Sequence, residues 1–172
     1  VLGPFQPRLP DRPRRPGRRF AAAPRLYLDD IPRLRARLAA APTDDLVLIG
    51  RRQLRSNNSW CHNRARLVKG KPRCTLLIHP ADAARRGIAD GDLVELVSKA
   101  GRVRVPAEVS DEIMAGVVSL PHGWGHDKPG TRLGVASTTP GASVNDVTSE
   151  ELYDALSGNA ALSGLAVAVT RA

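Results

Sequence analysis

Residues 79–109 read HPADAARRGIADGDLVELVSKAGRVRVPAEV, and this stretch restricts the fold more than any other. Pro80 can open a short helix, because the first turn needs no N–H from it, and Gly87 can close that helix in a left-handed conformation with Ile88 packing back past the cap. Asp90-Gly91 then makes a tight turn, residues 93–98 a strand, and Lys99-Ala100-Gly101 a second turn. In the next strand Val103, Val105, Ala107 and Val109 alternate with Arg102, Arg104, Pro106 and Glu108, so one face is buried and the other is wet. Strands this short, joined this tightly, in a chain of 172 residues with 15 Gly and two each of Trp, Tyr and Phe, favour a small closed β-barrel over a layered α/β sheet.

The flanking segments supply the remaining strands. LVLIG (46–50), TLLIH (75–79), VVSLP (117–121) and LAVAV (165–169) are short apolar runs bounded by turn residues, and the first two read as buried strands. DDIPRLRARLAAA (29–41) reads as a surface helix, with Asp30 as cap, Pro32 in the first turn and Ile31, Leu34 and Leu38 on one face. Ser110 and Gly116 bracket one helical turn, and TSEELYDAL (148–156) has a capping-box start for a brief helix. The first 25 residues, rich in Pro and Arg, hold too few apolar side chains for a core and read as linker or as a strand completing a neighbouring domain. The organisation expected is a linker and entry helix over 1–42 and a barrel domain over 43–172. Because the chain starts at Val1 and not at Met, it is expected to be a piece of a longer protein.

Charge narrows the partners. The net charge is +9, but residues 1–37 hold 10 Arg and 3 Asp, while 38–172 hold 16 basic and 14 acidic residues. Within the second part, residues 51–73 carry Arg51, Arg52, Arg55, Arg64, Arg66, Lys69, Lys71 and Arg73 without one carboxylate. A single basic patch on a mildly acidic body points to one anionic ligand, and away from nucleic acid as the barrel's partner. No run of 18 apolar residues exists for a membrane span. Two cysteines cannot form the framework of a disulfide scaffold, and no leader opens the chain, so a cytoplasmic location is expected.

Two loops can carry chemistry. GRRQLRSNNSWCHN (50–63) leaves a strand with Arg forks suited to phosphate and Ser and Asn groups suited to the polar edge of a base or pterin; the alternative is a solvated basic loop. PHGWGHD (121–127) also follows a strand, with Gly123 and Gly125 allowing close backbone approach, Trp124 able to stack on a ring, and His122 and His126 one helical turn apart. Its alternative is a glycine turn around a packed Trp. Cys61, His62, Cys74 and His79 lack the spacing of a zinc knuckle, and neighbouring Cys61 and His62 do not by themselves make a catalytic pair, so neither a metal site nor a catalytic residue is expected in the chain. GxxxxGK[ST] and GxGxxG are absent.

Taken in order, LVLIG with its polar Arg/Ser/Asn/His loop, P-x-D-A-x-x-x-G-I-x-D-G-D-x-V from Pro80 to Val94, GVVSLPHGWGH, and SVNDV with the LSGN run near the end resemble the molybdopterin dinucleotide-binding domain. That domain is the C-terminal part of catalytic subunits in the dimethyl sulfoxide reductase family of molybdenum or tungsten oxidoreductases, which includes formate dehydrogenases and nitrate reductases. The resemblance covers about residues 46–169, and residues 17–35 also look like the family's connector into this domain. It implies a mainly β fold, a six-stranded double-psi β-barrel with short flanking helices.

The same resemblance implies molybdopterin guanine dinucleotide as cofactor, in a bis form with molybdenum or tungsten in the full-length protein. Arg51, Arg52, Arg55, Ser56, Asn57 and Asn58 would meet the pyrophosphate and pterin, with His62 and Asn63 beside them. His122, Gly123 and Trp124 would line the pterin or guanine end, and Asn145 would bond to the pterin. The metal's protein ligand and any iron-sulfur cysteines would belong to preceding domains of the same subunit. The fragment alone is therefore expected to hold no cofactor and to be inactive, within a parent that is an oxidoreductase of the formate dehydrogenase or nitrate reductase kind. The rival is a free-standing basic double-psi barrel that binds nucleic acid or another anionic partner, with binding strongly dependent on salt. A small decarboxylase-like barrel would need a self-processing Gly-Ser centre, and Ser157-Gly158 has the opposite order.

Overall fold

A computed structural model describes residues 22–40, 43 and 45–172. The Pro/Arg-rich stretch over 1–21 lies outside the described residues. The chain divides into two compact units, Val1–Pro42 and Thr43–Ala172.

The described part of the first unit is helix α1, Arg25–Ala39, with no buried residue. It starts earlier than the Asp30 cap expected, directly after Pro24, and Pro32 lies inside it. A proline in a helix interior removes one backbone bond. Ion pairs one turn apart, Arg25 with Asp29 at 2.8 Å and Arg33 with Asp30 at 2.7 Å, offset a small part of that loss.

The second unit is a closed barrel of β1 (Leu46–Arg51), β2 (Leu76–Ile78), β3 (Leu93–Val97), β4 (Arg102–Val109), β5 (Val117–Pro121) and β6 (Leu165–Arg171). Around the barrel the order is β1-β5-β2-β4-β3-β6. Strand β5 lies between β1 and β2, and β2 lies between β5 and β4, with β1/β5 and β2/β4 parallel. The connection from β1 to β2 therefore steps over β5, and the one from β4 to β5 steps over β2. Two interlocked crossovers of this kind make the barrel double-psi, and closure leaves no open sheet edge.

Alternating side chains fill the interior: Leu46 and Leu48 of β1, Leu76 and Ile78 of β2, Val94 and Leu96 of β3, Val103, Val105 and Ala107 of β4, Val118 and Leu120 of β5, and Leu165, Val167 and Val169 of β6. Strand β1 differs from its expected burial on both faces, since Val47 and Ile49 are each 36% exposed. A small barrel has one core, and only the inward parity reaches it.

Helix α3 (Pro80–Arg85) forms as its residues dictate: the His79 ring accepts the Ala81 N–H at 3.1 Å, and Ile88 returns to the core after Gly87. Its Asp82 is fully buried, accepts the Gly116 N–H at 2.7 Å, and pairs with Arg85 and Arg86. Burial alone would raise the Asp82 pKa, but the Gly116 N–H and the two guanidinium groups outweigh it and hold the carboxyl below its ordinary range.

Two expected helical segments are turns instead. At 110–116 the Ser110 hydroxyl accepts the Glu112 N–H at 3.2 Å. At 148–156 the Ser149 hydroxyl accepts from Glu151, while Asp154 accepts both the N–H and the hydroxyl of Ser157. These short side-chain bonds compete with the helical backbone and win where no apolar face rewards a helix. The polar stretch after β1, expected as loop, contains one short helix, α2 (Ala65–Val68).

Candidate functional site

Strands β1 and β5 run parallel with Arg51 opposite Pro121, so the segments leaving them, 52–63 and 122–127, emerge side by side on one rim of the barrel. The His122 N–H donates to the Arg51 carbonyl at 3.1 Å at the point of exit.

The first segment is a tight coil pinned at both ends. Ser56 is buried, donates its N–H to the Gln53 carbonyl at 3.0 Å and accepts the Cys61 N–H at 3.1 Å. Between these pins Asn57 and Asn58 take left-handed backbone angles, φ 41° and 68°, which asparagine tolerates better than other residues with a side chain. At the far end His62 is 1% exposed, and its ring lies on that of Trp124 with centroids 4.0 Å apart. His62 Nδ1 is 2.7 Å from Nε2 of buried His126, so one ring donates to the other and ties the coil to the turn. Burial lowers both histidine pKa values; for His62 the facing His126 ring and Arg73 lower it further while the Gly123 carbonyl opposes, and for His126 only Asp127 opposes the burial. Both rings are therefore neutral near pH 7.

The two segments touch through backbone. At Gly123, φ 92°, a Cβ would stand 2.3 Å from the Asn58 carbonyl oxygen, so only glycine fits. Beside this contact Trp124 Nε1 and His62 Nε2 are buried without a well-aligned hydrogen bond.

The remaining expected site residues fall into different roles. Arg52 is exposed and donates to the Asn58 side-chain oxygen. Arg55 is exposed, reaching the Arg66 carbonyl at 3.2 Å. Arg51 is part-buried and lies across the neighbouring strands, donating to the carbonyls of Ser119 at 2.6 Å and Thr75 at 2.8 Å, with Glu108 at 3.8 Å. Burial lowers its pKa against the pull of Glu108, whose own carboxyl is held low by the Thr75 hydroxyl against burial, helped by Lys71 and Arg51. Asn63 is likewise engaged: its side-chain oxygen accepts the N–H groups of Val135 and Ala136 at 2.9 and 3.2 Å. Asn145, in a 3-10 turn over Val144–Val147, is exposed and lies in a separate groove of 570 Å³ with Lys99, Thr148 and Ser149. That groove belongs to the same rim: Leu162 lines it, and neighbouring Ser163 accepts the Gly50 N–H at 3.2 Å.

Two site features escaped the sequence reading. Gln53, Leu54 and Trp60 join Arg52, Asn57 and Asn58 around a 570 Å³ groove on the coil, and His126 holds His62 although no helix joins it to His122. Pairing across 64 residues leaves no local pattern. Both thiols are free, with that of Cys74 raised by burial. Among the described residues no three His, Cys, Asp or Glu side chains gather as metal ligands would, and no helix is long and apolar enough to cross a membrane.

Residues 46–166, the whole barrel up to the start of β6, match the molydopterin dinucleotide binding domain. The chain belongs to that family. Among curated relatives, the dinucleotide-binding domain is 45% identical over 60 residues to a dimethyl sulfoxide/trimethylamine N-oxide reductase of Cereibacter sphaeroides, covering 35% of this chain and 7% of that protein. It is 31% identical over 93 residues to the dimethyl sulfoxide reductase DmsA of Escherichia coli, covering 54% of this chain and 11% of the relative. The chain thus spans about a tenth of the relatives' length or less. Among solved structures, acetylene hydratase from Pelobacter acetylenicus superposes with a TM-score of 0.62 over 84% of this chain and 20% of that one, at 22% identity, a likeness of fold.

Proposed function

We propose that this domain holds one pterin dinucleotide of a bis-molybdopterin guanine dinucleotide centre, as the cofactor-binding part of a larger catalytic subunit whose preceding domains supply the metal's protein ligand. The observation that carries the reading is the junction of Asn58 with Gly123, where a backbone with no room for a Cβ brings an arginine-bearing coil against a Trp/His turn. The residues present fit such a group. Arg52 and Arg55 offer guanidinium forks to a pyrophosphate from a stretch without carboxylates, and the amides of Asn57 and Asn58 offer donors and acceptors to a ring edge. A buried Trp124 N–H without a partner is costly, and an acceptor brought to it would remove that cost. His62 and His126 keep the two segments in register, and Gly123 and His122 form the wall facing the coil.

When bound, the cofactor supplies two-electron chemistry at molybdenum or tungsten, and this chain supplies position and hydrogen bonds. Arg51 and Asn63 act behind the surface, holding β1 to β2 and β5 and the coil to residues 135–136. Asn145, with Lys99, is a second contact further along the rim. For the parent we propose an oxidoreductase of the sulfoxide or N-oxide reductase kind, in place of the formate dehydrogenase or nitrate reductase kind expected from the resemblance, because the curated relatives carry those names.

Calorimetric titration of the chain with guanosine diphosphate and with duplex DNA, each at two salt concentrations, tests the reading. Saturable nucleotide binding that is lost in Arg52→Ala supports it. Salt-sensitive duplex binding with no response to the nucleotide would overturn it in favour of a basic binding module.

A further inference from the structure

Trp60 is 83% exposed, the largest aromatic surface left bare among the described residues of the barrel unit. Its backbone, by contrast, is held. The Trp60 N–H donates to the Asn57 carbonyl at 3.3 Å, and the neighbouring N–H groups of Cys61 and His62 donate to Ser56 and Ser59 at 3.1 and 3.0 Å. Buried Ser56 and His62 peg the coil on either side of it. A ring presented on a fixed backbone loses little freedom when something lies against it, which is the condition for an efficient contact.

The groove that Trp60 lines defines the chemistry of its occupant. Its other walls are Arg52, Gln53, Leu54, Asn57 and Asn58, and it is an open groove of 570 Å³. Arg52 is fixed on this wall by its bond to the Asn58 side chain. An open indole face next to a guanidinium, amide groups at the edge and no carboxylate from 51 to 73 match a planar heteroaromatic ring that carries phosphate. Trp124 does not offer such a face on its His62 side, because the His62 ring lies against it at 4.0 Å.

We propose that Trp60 is the stacking platform for a bicyclic ring of the bound dinucleotide, with Arg52 beside it for the adjoining phosphate. This rests on the function proposed above and adds to it a contact residue and a ring chemistry. A purine and a pterin share that chemistry, so both are probes.

The test follows guanosine diphosphate and a pterin monophosphate binding to the chain by calorimetry and by tryptophan emission. Saturable binding with quenched emission, weakened roughly 5- to 150-fold in Trp60→Ala and largely restored in Trp60→Phe, is the expected result. The probe that binds more tightly identifies the ring. Binding that is abolished by Arg52→Ala but unchanged in Trp60→Ala, with emission unaffected, would overturn the platform and leave the proposed function intact. No calorimetric binding of either probe would overturn both.

Discussion

Replacing Gly123 by alanine isolates the contact on which the site is built. Gly123 has φ 92°, and an added Cβ would stand 2.3 Å from the carbonyl oxygen and 2.6 Å from the carbonyl carbon of Asn58. The positive φ alone costs an L-residue roughly 1–2 kcal/mol. Relief of the collision requires Asn58 to retreat by about 1 Å to reach ordinary contact, and it is pinned through Ser56 and His62. Forced overpacking of this kind adds roughly 1–3 kcal/mol. Gly158→Ala is the control, because Gly158 has φ 73° with nothing within 4 Å of its added Cβ, so only the backbone penalty applies. Gly123→Ala should therefore unfold at lower urea than Gly158→Ala, with the excess lowering Tm by about 2–12 °C in a chain of this size. Equal destabilisation of the two variants would refute the close packing of coil on turn.

Other perturbations test the supports of the site. Asp82→Ala strips the Gly116 N–H and two arginines of a buried partner and should cost about 2–4 kcal/mol; an unchanged denaturation midpoint would contradict that role. Arg51→Lys replaces a fork that reaches Ser119 and Thr75 from two separate nitrogens with a single ammonium that lacks that spread, a loss of about 1–3 kcal/mol by chemical denaturation, and full stability would show that the bridge contributes nothing. The folded-state pKa values of His62 and His126 lie below the ordinary 6.5, so the unfolded chain takes up protons first as pH falls. Their contribution is complete above pH 6.5 and is lost below it. The decline of the urea midpoint from pH 7.5 to 5.5 should become shallower in His62→Gln, and an unaltered slope would locate the titration elsewhere.

The parts of the fold that could be read from the sequence are those fixed by neighbours in the chain. Pro80, Gly87, Asp90-Gly91 and the alternation over 102–109 each act within a few residues, and helix α3, the turns and the β3–β4 pair followed from them. The placement of β5 between β1 and β2 has no local signature, because it depends on closing the barrel. The same reason hid the bridging role of Arg51, whose acceptors Ser119 and Thr75 come beside it only when the barrel closes. Asn63 was legible as a polar loop residue but not as a tie to positions 72 and 73 residues away. The basic coil was visible as charge without carboxylates. Which of its side chains face outward was decided by two buried pegs, Ser56 and His62, that composition ranks as polar and therefore as surface.

Amide chemical-shift mapping of the labelled chain during addition of guanosine diphosphate shows whether the coil after β1 and the turn after β5 form one nucleotide site. Saturable shifts are expected at Arg52 to His62 and at His122 to Gly125, with a second, smaller set near Lys99 and Asn145. Shifts confined to the arginines of residues 1–37, fading as salt is raised, would contradict such a site.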